Sequence, residues 1–173
     1  SNLVEDNSHY LGFKKQDNEP ILIAYVDSER NSIDEFPASI QSIQKKVIES
    51  NPESVLRFTS LKQVPRINRL NSLKIYIEHL RSNSDLHMFV VLDVITDCIS
   101  NFNDPVESME LLDYLGNICE NSNATFLLVV HENPGSEKAR GHTGTELINK
   151  SSTSMRIGFE KLRNGEYSDI IKI

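Results

Sequence analysis

The chain has 173 residues, of which 38% are hydrophobic, so it is long enough to bury the core of one ordinary domain. Its net charge of −7 excludes a protein that coats nucleic acid through bulk positive charge, although a local basic loop can still contact phosphates. Two cysteines without CxxC spacing, the lack of a signal-peptide pattern and the lack of an apolar run of about 20 residues predict a reduced protein of the cytoplasm with no membrane partner.

Hydrophobic periodicity predicts strands that alternate with helices along most of the chain. After a polar lead-in over residues 1–20, apolar runs predict strands at Ile21–Val26, Val55–Phe58, Met88–Leu92 and Thr125–Val130. Helices are predicted between these strands, from Ile33 (capped by Ser32) to Ser50, from Arg66 to Arg81 and from Val106 to Asn121. Two late strands, Met155–Phe159 and Tyr167–Ile173, flank Asn164-Gly165, a dipeptide typical of a hairpin turn.

The spacing of apolar residues also predicts which side chains of each helix face the core. In the first helix these are Phe36, Ile40, Ile43, Val47 and Ile48. In the second they are Ile67, Leu70, Leu73, Ile77 and Leu80, and in the third they are Met109, Leu112, Leu115 and Cys119.

Strands that alternate with helices indicate parallel βαβ units, and therefore an α/β fold. We expect a mostly parallel sheet with helices on both faces, and an antiparallel hairpin at the C-terminus. The expected organisation is a single domain over 1–173, with a βαβ core at 21–131, a glycine-rich loop and short helix at 132–152, and C-terminal strands at 153–173.

Three predicted strands lead into polar, chemically capable residues. The strand at Ile21–Val26 leads into Asp27, Ser28 and Glu29. The strand at Met88–Leu92 leads into Asp93, and the strand at Thr125–Val130 leads into His131. Because parallel strands present their carboxyl ends at one edge of the sheet, these residues are expected to form one cluster there. Ligands of open α/β sheets bind at that edge.

Each of these residues has a functional and a purely structural interpretation. An apolar strand that ends in Asp93 has the form of a Walker B element, whose carboxylate holds Mg²⁺, but many strands end in Asp for solvation alone. Glu29 or Asp27 could orient or deprotonate a water molecule, or Asp27 could belong to a helix-capping cluster. His131 could sense a phosphate, act as a base, ligate a metal, or simply be hydrogen-bonded.

The order of these elements resembles the RecA-like ATPase core. It is more specifically similar to RepA-type hexameric helicases and to AAA-family ATPases of Bacteroides mobilisable transposons (the TnpC-type proteins). The residues that carry the resemblance are Val26-Asp-Ser-Glu29-Arg30, Val91-Leu-Asp93, and Val130-His131 followed by a glycine-rich loop into Met155-Arg156-Ile157. The most specific part is His131-Glu-Asn-Pro-Gly together with Lys138-Ala-Arg-Gly-His-Thr-Gly-Thr-Glu-Leu.

The resemblance implies a role for each of these positions. Glu29 would be the general base for water and His131 the γ-phosphate sensor. Asp93 would be the Mg²⁺ carboxylate, with Asp27 beside it at the cofactor site. The segment Asn133–Gly144 would be a mobile loop that contacts DNA through Lys138, Arg140, Gly141 and His142. The implied cofactors are ATP and Mg²⁺, and the implied partners are DNA and further copies of the chain in a ring.

One element of the family pattern is not found in the sequence. The family's glycine-rich P-loop precedes the strand that carries the glutamate, and no such motif precedes Ile21. We therefore expect an N-terminally truncated core that binds neither cofactor well by itself and has unpaired strand edges. The segment Gly144–Ser151 differs from a P-loop only at Asn149, but Leu147 and Ile148 favour a short helix there.

Two alternatives to an ATPase remain at this stage. The chain could be a non-catalytic remnant of such a protein that binds DNA or protein. Less favoured is a metal-dependent hydrolase that uses Asp27, Glu29, Asp93 and His131 directly as ligands, because the chain lacks HxH, HExxH and DxDxT-like spacing.

Overall fold

The fold is taken from a computed structural model of the protein, which describes residues 19–50, 55–133, 138–162 and 166–172. The strands are β1 (Ile21–Asp27), β2 (Val55–Ser60), β3 (His87–Asp93), β4 (Ala124–Leu128), β5 (Gly158–Lys161) and β6 (Tyr167–Lys172). The α-helices are α1 (Glu35–Ser50), α2 (Arg69–Ser82), α3 (Pro105–Ser122) and α4 (Gly141–Lys150). Short 3₁₀ turns cover Arg66–Asn68 and Ile95–Cys98.

The predicted α/β fold with a mostly parallel sheet is confirmed. Four parallel strands form one sheet in the order β2-β1-β3-β4. The chain passes from β1 to β2 in one direction and from β2 to β3 in the other. Because such crossovers are right-handed, α1 lies on one face of the sheet and α2 and α3 lie on the other. Among the described residues, no helix is sufficiently long and apolar to traverse a membrane.

Contacts between residues divide the chain into two compact units. The larger unit is Pro20–Lys150 and contains the parallel sheet and its helices. The smaller unit contains β5 and β6, which pair antiparallel in a separate two-stranded sheet. The predicted turn at Asn164-Gly165 lies outside the described residues, as does the predicted lead-in up to residue 18.

The core of the larger unit lies between the sheet and helices α2 and α3. Alternate residues of neighbouring strands stand in register on this face, as in the row Ala24, Val90 and Phe126. Ala24 and Val90 are fully buried, and Phe126 packs partly buried at the edge of the same cluster. The predicted core positions Leu73, Ile77 and Leu80 of α2 are buried as well.

Three predictions about the helices are wrong. Ile67 is 84% exposed because it lies in the 3₁₀ turn before α2, where the helical spacing does not yet apply. Met109 is 39% exposed because the buried stripe of α3 passes through Ser108 instead. Helix α1 begins at Glu35, and Ile33 is exposed, because the side chain and carbonyl of Asn31 organise the preceding turn.

The contact between α3 and α4 explains the shifted stripe. Ser108 and Thr143 are both fully buried, and their hydroxyls lie 2.8 Å apart. The Thr143 hydroxyl also donates to the carbonyl of Phe102 at 3.0 Å. The Ser108 hydroxyl donates to the Asp104 carbonyl at 2.6 Å, so both hydroxyls are satisfied by backbone carbonyls and can replace an apolar contact inside a core. Hydropathy alone assigns both positions to a surface.

The start of α4 depends on glycine. Gly141 has a φ of +73°, and a Cβ there would lie 2.6 Å from the Phe102 carbonyl oxygen. We expect Gly141→Ala to lower the free energy of unfolding by about 1–3 kcal/mol, since it combines a left-handed backbone with a clash. Urea unfolding measures this change.

Gly116 provides the matched control. It lies in α3, where a Cβ would meet nothing within 4 Å, so Gly116→Ala should stabilise the protein by about 0.5–1 kcal/mol. Equal effects of the two substitutions would contradict this account of Gly141.

Candidate functional site

The candidate site lies where the order of strands reverses. β1 and β3 are neighbours in the sheet, but the chain leaves β1 on one face and reaches β3 on the other. This arrangement opens a crevice at the carboxyl ends of β1 and β3, which is the usual ligand position in such sheets. Asp27 and Asp93 end these two strands and are register partners across them.

One cation joins the two aspartates. The Arg30 Nη1 atom lies 2.8 Å from Asp27 Oδ1 and 2.6 Å from Asp93 Oδ2. The Asp27 side chain is fully buried and that of Asp93 is 13% exposed. The backbone N–H of Arg30 donates to Asp27 Oδ2 at 3.0 Å, so this carboxylate is bound on both oxygens. Two adjacent carboxylates in a poorly hydrated place require such a counter-charge.

Tyr25 completes this cluster. Its hydroxyl donates to Asp93 Oδ2 at 2.7 Å and accepts from Arg30 Nη1 at 2.6 Å. Burial, reinforced by the hydrogen bond to the Asp93 carboxylate, raises the pKa of Tyr25 well above its usual range. The hydrogen bond to Asp93 likewise raises the pKa of Arg30. Tyr25 therefore stays a neutral donor and Arg30 a cation at physiological pH.

Ser28 ties the ends of the same two strands together. It is fully buried, and its backbone N–H donates to the Asp93 carbonyl at 2.7 Å. Its hydroxyl donates to the Val94 carbonyl at 2.7 Å and accepts from the Val94 N–H at 2.9 Å. One side chain thus satisfies a donor and an acceptor that the sheet leaves unpaired.

Glu29 and His131 form a second, exposed pair. Glu29 Oε2 lies 3.3 Å from His131 Nε2, and each side chain is about half exposed, at 53% and 50%. Of the two carboxylates expected beside His131, Glu29 is the one that the structure brings into contact with it. The predicted strand bounds are wrong, since β4 ends at Leu128, three residues before His131. The main chain of His131 is instead held by a hydrogen bond from the Arg140 N–H to its carbonyl, at 2.8 Å.

The four residues expected in a DNA-contacting loop fall into two groups. Lys138 and Arg140 are exposed, and the Arg140 guanidinium lies 4.7 Å from the centre of the Phe102 ring. Gly141 and His142 form the first turn of α4. The expected loop does not extend to Gly144, because α4 begins at Gly141. Residues 134–137 lie outside the described residues.

The segment that resembles a P-loop is a helix. Gly144 lies inside α4, where it is buried, and Lys150 is the last residue of the helix. A P-loop wraps phosphate with the backbone N–H groups of a loop, and the N–H groups within a helix are already bonded. Gly144–Lys150 is therefore not a phosphate-binding loop.

Sequence reasoning missed Arg69, which holds the loops behind the site. Arg69 is 7% exposed and begins α2 on the same face as Leu73. Its guanidinium donates to four carbonyl oxygens from three different loops, those of Lys62, Val64, Ser28 and Asp97. The sequence signal that could have identified Arg69 is its position on the apolar face of α2, in line with Leu73.

A metal ion at these residues would take most of its ligands from phosphate or water. The described part of the chain has no group of three or more His, Cys, Asp or Glu side chains that could hold a metal. Mg²⁺ that arrives with a nucleotide needs only one or two carboxylates, because phosphates and water complete its shell. The hydrogen bonds described for Asp93 all end on Oδ2, which leaves Oδ1 for this purpose. The residues thus fit Mg²⁺ bound together with phosphate.

Comparison with known proteins finds no family model that matches the chain, no similar curated protein and no similar solved structure. The RecA-like resemblance therefore rests on the sequence motifs, and the chemistry of the site rests on its geometry.

Ser28 offers a test of how the site is held together. Ser28→Ala leaves the buried N–H of Val94 without its partner and leaves the Val94 carbonyl only the Asp97 N–H at 3.3 Å, so we expect a loss of about 1–3 kcal/mol in the free energy of unfolding. Ser100→Ala is the control, because Ser100 is exposed, and it should change stability by less than about 0.5 kcal/mol. Chemical denaturation compares the two. A loss for Ser28→Ala as small as for Ser100→Ala would refute the role given to Ser28.

Proposed function

We propose that the protein is part of a RecA-like ATPase that acts in DNA transactions of a mobile genetic element, such as mobilisation, excision or replication. One observation carries the proposal: Glu29 and His131, residues from distant parts of the chain, lie 3.3 Å apart at the sheet edge that also bears Asp93. A carboxylate, an imidazole and a second carboxylate are the groups that the resemblance assigns to water activation, phosphate sensing and Mg²⁺ binding.

In this proposal Glu29 acts on the attacking water. Its side chain is 53% exposed and its described side-chain partner is His131, so water can reach it. A general base has to lie within hydrogen-bond distance of the water whose proton it takes. His131 beside it would contact the γ-phosphate, and its movement would report whether that phosphate is present.

The two aspartates have different roles. Bound Mg²⁺ would neutralise phosphate charge as the terminal phosphoryl group is transferred. Asp93 is the residue that would hold it, since its side chain is partly exposed. Asp27 is fully buried and bound on both oxygens, so it supports the site by fixing Arg30.

The proposal needs a phosphate-binding element beyond these residues. None of the described strand-to-helix connections has the glycine and lysine pattern of a P-loop. The phosphates would be held by residues outside the described part of the chain, or by a neighbouring subunit of a ring. Residues 1–173 contain no P-loop motif, so by themselves they should hydrolyse ATP at a negligible rate.

The link to DNA rests on Lys138 and Arg140. Both side chains are exposed, and the main chain of Arg140 is bonded directly to that of His131. A phosphate sensor and a basic segment are thus joined by one hydrogen bond. Through this hydrogen bond, a movement of His131 on phosphate binding would also move the main chain of Arg140.

One observation favours the second candidate, a non-catalytic DNA-binding or protein-binding remnant. Arg30 already neutralises both aspartates, as expected for a site that has lost its metal. The third candidate, a hydrolase with a metal held by protein ligands alone, gains no support from the described residues, which contain no group suited to it.

Glu29→Gln tests the ATPase proposal in any form of the protein that hydrolyses ATP. We expect phosphate release to fall at least about 100-fold, because glutamine cannot accept the proton, while binding of a fluorescent ATP analogue stays within about threefold. Glu110→Gln, on the exposed side of α3, is the control and should retain full activity. If no form of the protein hydrolyses ATP, the non-catalytic remnant replaces the ATPase.

Lys138→Ala and Arg140→Ala test the DNA contact. Each should weaken binding to DNA and reduce the slope of log Kd against log salt concentration by about one, since one phosphate contact is lost. Lys74→Ala is the control, because Lys74 pairs with Glu78 on α2. Fluorescence anisotropy at several salt concentrations provides the slopes, and unchanged slopes would remove these residues from the interface.

A further inference from the structure

The environment of Arg30 Nη1 is unusual for a guanidinium nitrogen. Three oxygen atoms surround this one nitrogen, those of Asp27, Asp93 and the Tyr25 hydroxyl, at 2.8, 2.6 and 2.6 Å. The nitrogen carries two hydrogens, so it cannot donate well to all three. A shell of oxygens from two carboxylates and a hydroxyl is the kind of environment that a hard cation also occupies.

The charges around Arg30 are predominantly negative. The crevice beside it has a volume of about 570 Å³ and is lined by Glu29, Arg30, Glu35 and Ser39. Arg30 is the cation among these four residues, and it also contacts Asp27 and Asp93. Its removal would leave the aspartates to be neutralised by a proton or by another cation.

The Arg30 guanidinium is also able to move away from the two aspartates. It follows β1 in a loop and its side chain is 35% exposed, whereas the Asp27 side chain is fully buried. The backbone N–H of Arg30 is anchored separately on Asp27 Oδ2. The guanidinium can therefore turn out toward the crevice through side-chain rotation alone.

We propose that Arg30 is an internal counter-ion that competes with a divalent cation for Asp93, and that cation binding at this carboxylate draws the guanidinium away from it. This inference rests on the proposed function only in its assignment of Asp93 as the metal carboxylate. A divalent cation and a guanidinium repel one another strongly at such short distances, so the two states exclude each other. Arg30 thereby lowers the affinity of Asp93 for a divalent cation, whether or not a nucleotide accompanies that cation.

Mn²⁺ binding, measured by electron paramagnetic resonance without nucleotide, tests the inference. We expect Arg30→Gln to bind Mn²⁺ at least tenfold more tightly than the unaltered protein, because the competing charge is gone. Arg30→Lys is the matched control and should stay within threefold of the unaltered protein, since its ammonium still neutralises the aspartates. The gain should disappear in the double variant Arg30→Gln, Asp93→Asn.

Two outcomes would overturn the inference. One is a folded Arg30→Gln variant with unchanged Mn²⁺ affinity, and the other is a gain that survives the Asp93→Asn substitution. If Arg30→Gln does not fold, the displacement is tested on the unaltered protein instead. Mn²⁺ should then produce a tyrosine ultraviolet difference spectrum that Tyr25→Phe abolishes, and a spectrum unchanged by Tyr25→Phe refutes the displacement. No nucleotide is present, so either failure leaves the Glu29→Gln test of ATPase activity standing.

Discussion

Two carboxylates that end paired strands side by side need a cation between them. The register of β1 and β3 places Asp27 next to Asp93, and Asp27 is wholly removed from solvent. Desolvated carboxylates this close cannot both stay charged unless a counter-ion is built in. Arg30 provides that charge from the loop directly after β1. Access to Asp93 depends on this ion pair, whereas the neutral state of Tyr25 depends mainly on its burial and on its hydrogen bond to Asp93.

Buried polar groups hold the loops around the site together with buried apolar residues such as Leu61 and Ile95. Ser28 joins the ends of β1 and β3, and Arg69 binds carbonyl groups of three loops. Groups fixed by several hydrogen bonds in a poorly hydrated place make a rigid platform. Glu29 and His131 stand on this platform with exposed side chains. A rigid base that carries exposed acid–base groups is suited to chemistry on a bound ligand.

The fold was largely predictable because its signals are local. Apolar strands with turn residues at both ends, and helices with apolar residues every three or four positions, locate each element of the parallel sheet. The inward face of α2 at Leu73 and Ile77 follows from that spacing. The inward face of α3 follows only in part, since Leu115 is buried as predicted but Ser108, which contacts Thr143, takes the place expected for Met109. The spacing of apolar residues locates apolar side chains in the core, but it does not reveal buried polar groups whose hydrogen bonds are satisfied.

The candidate site was likewise predictable from the sequence only in part. Sequence by itself determined that Asp27, Asp93 and His131 follow strands, and parallel pairing then requires their positions at one edge. Only the tertiary structure decided that Arg30 lies between the aspartates and that Glu29, not Asp93, meets His131. These contacts join residues separated by 63 and 102 positions in the chain. Which charges meet over such separations depends on loop conformation and burial, and these exist only once the whole sheet has formed.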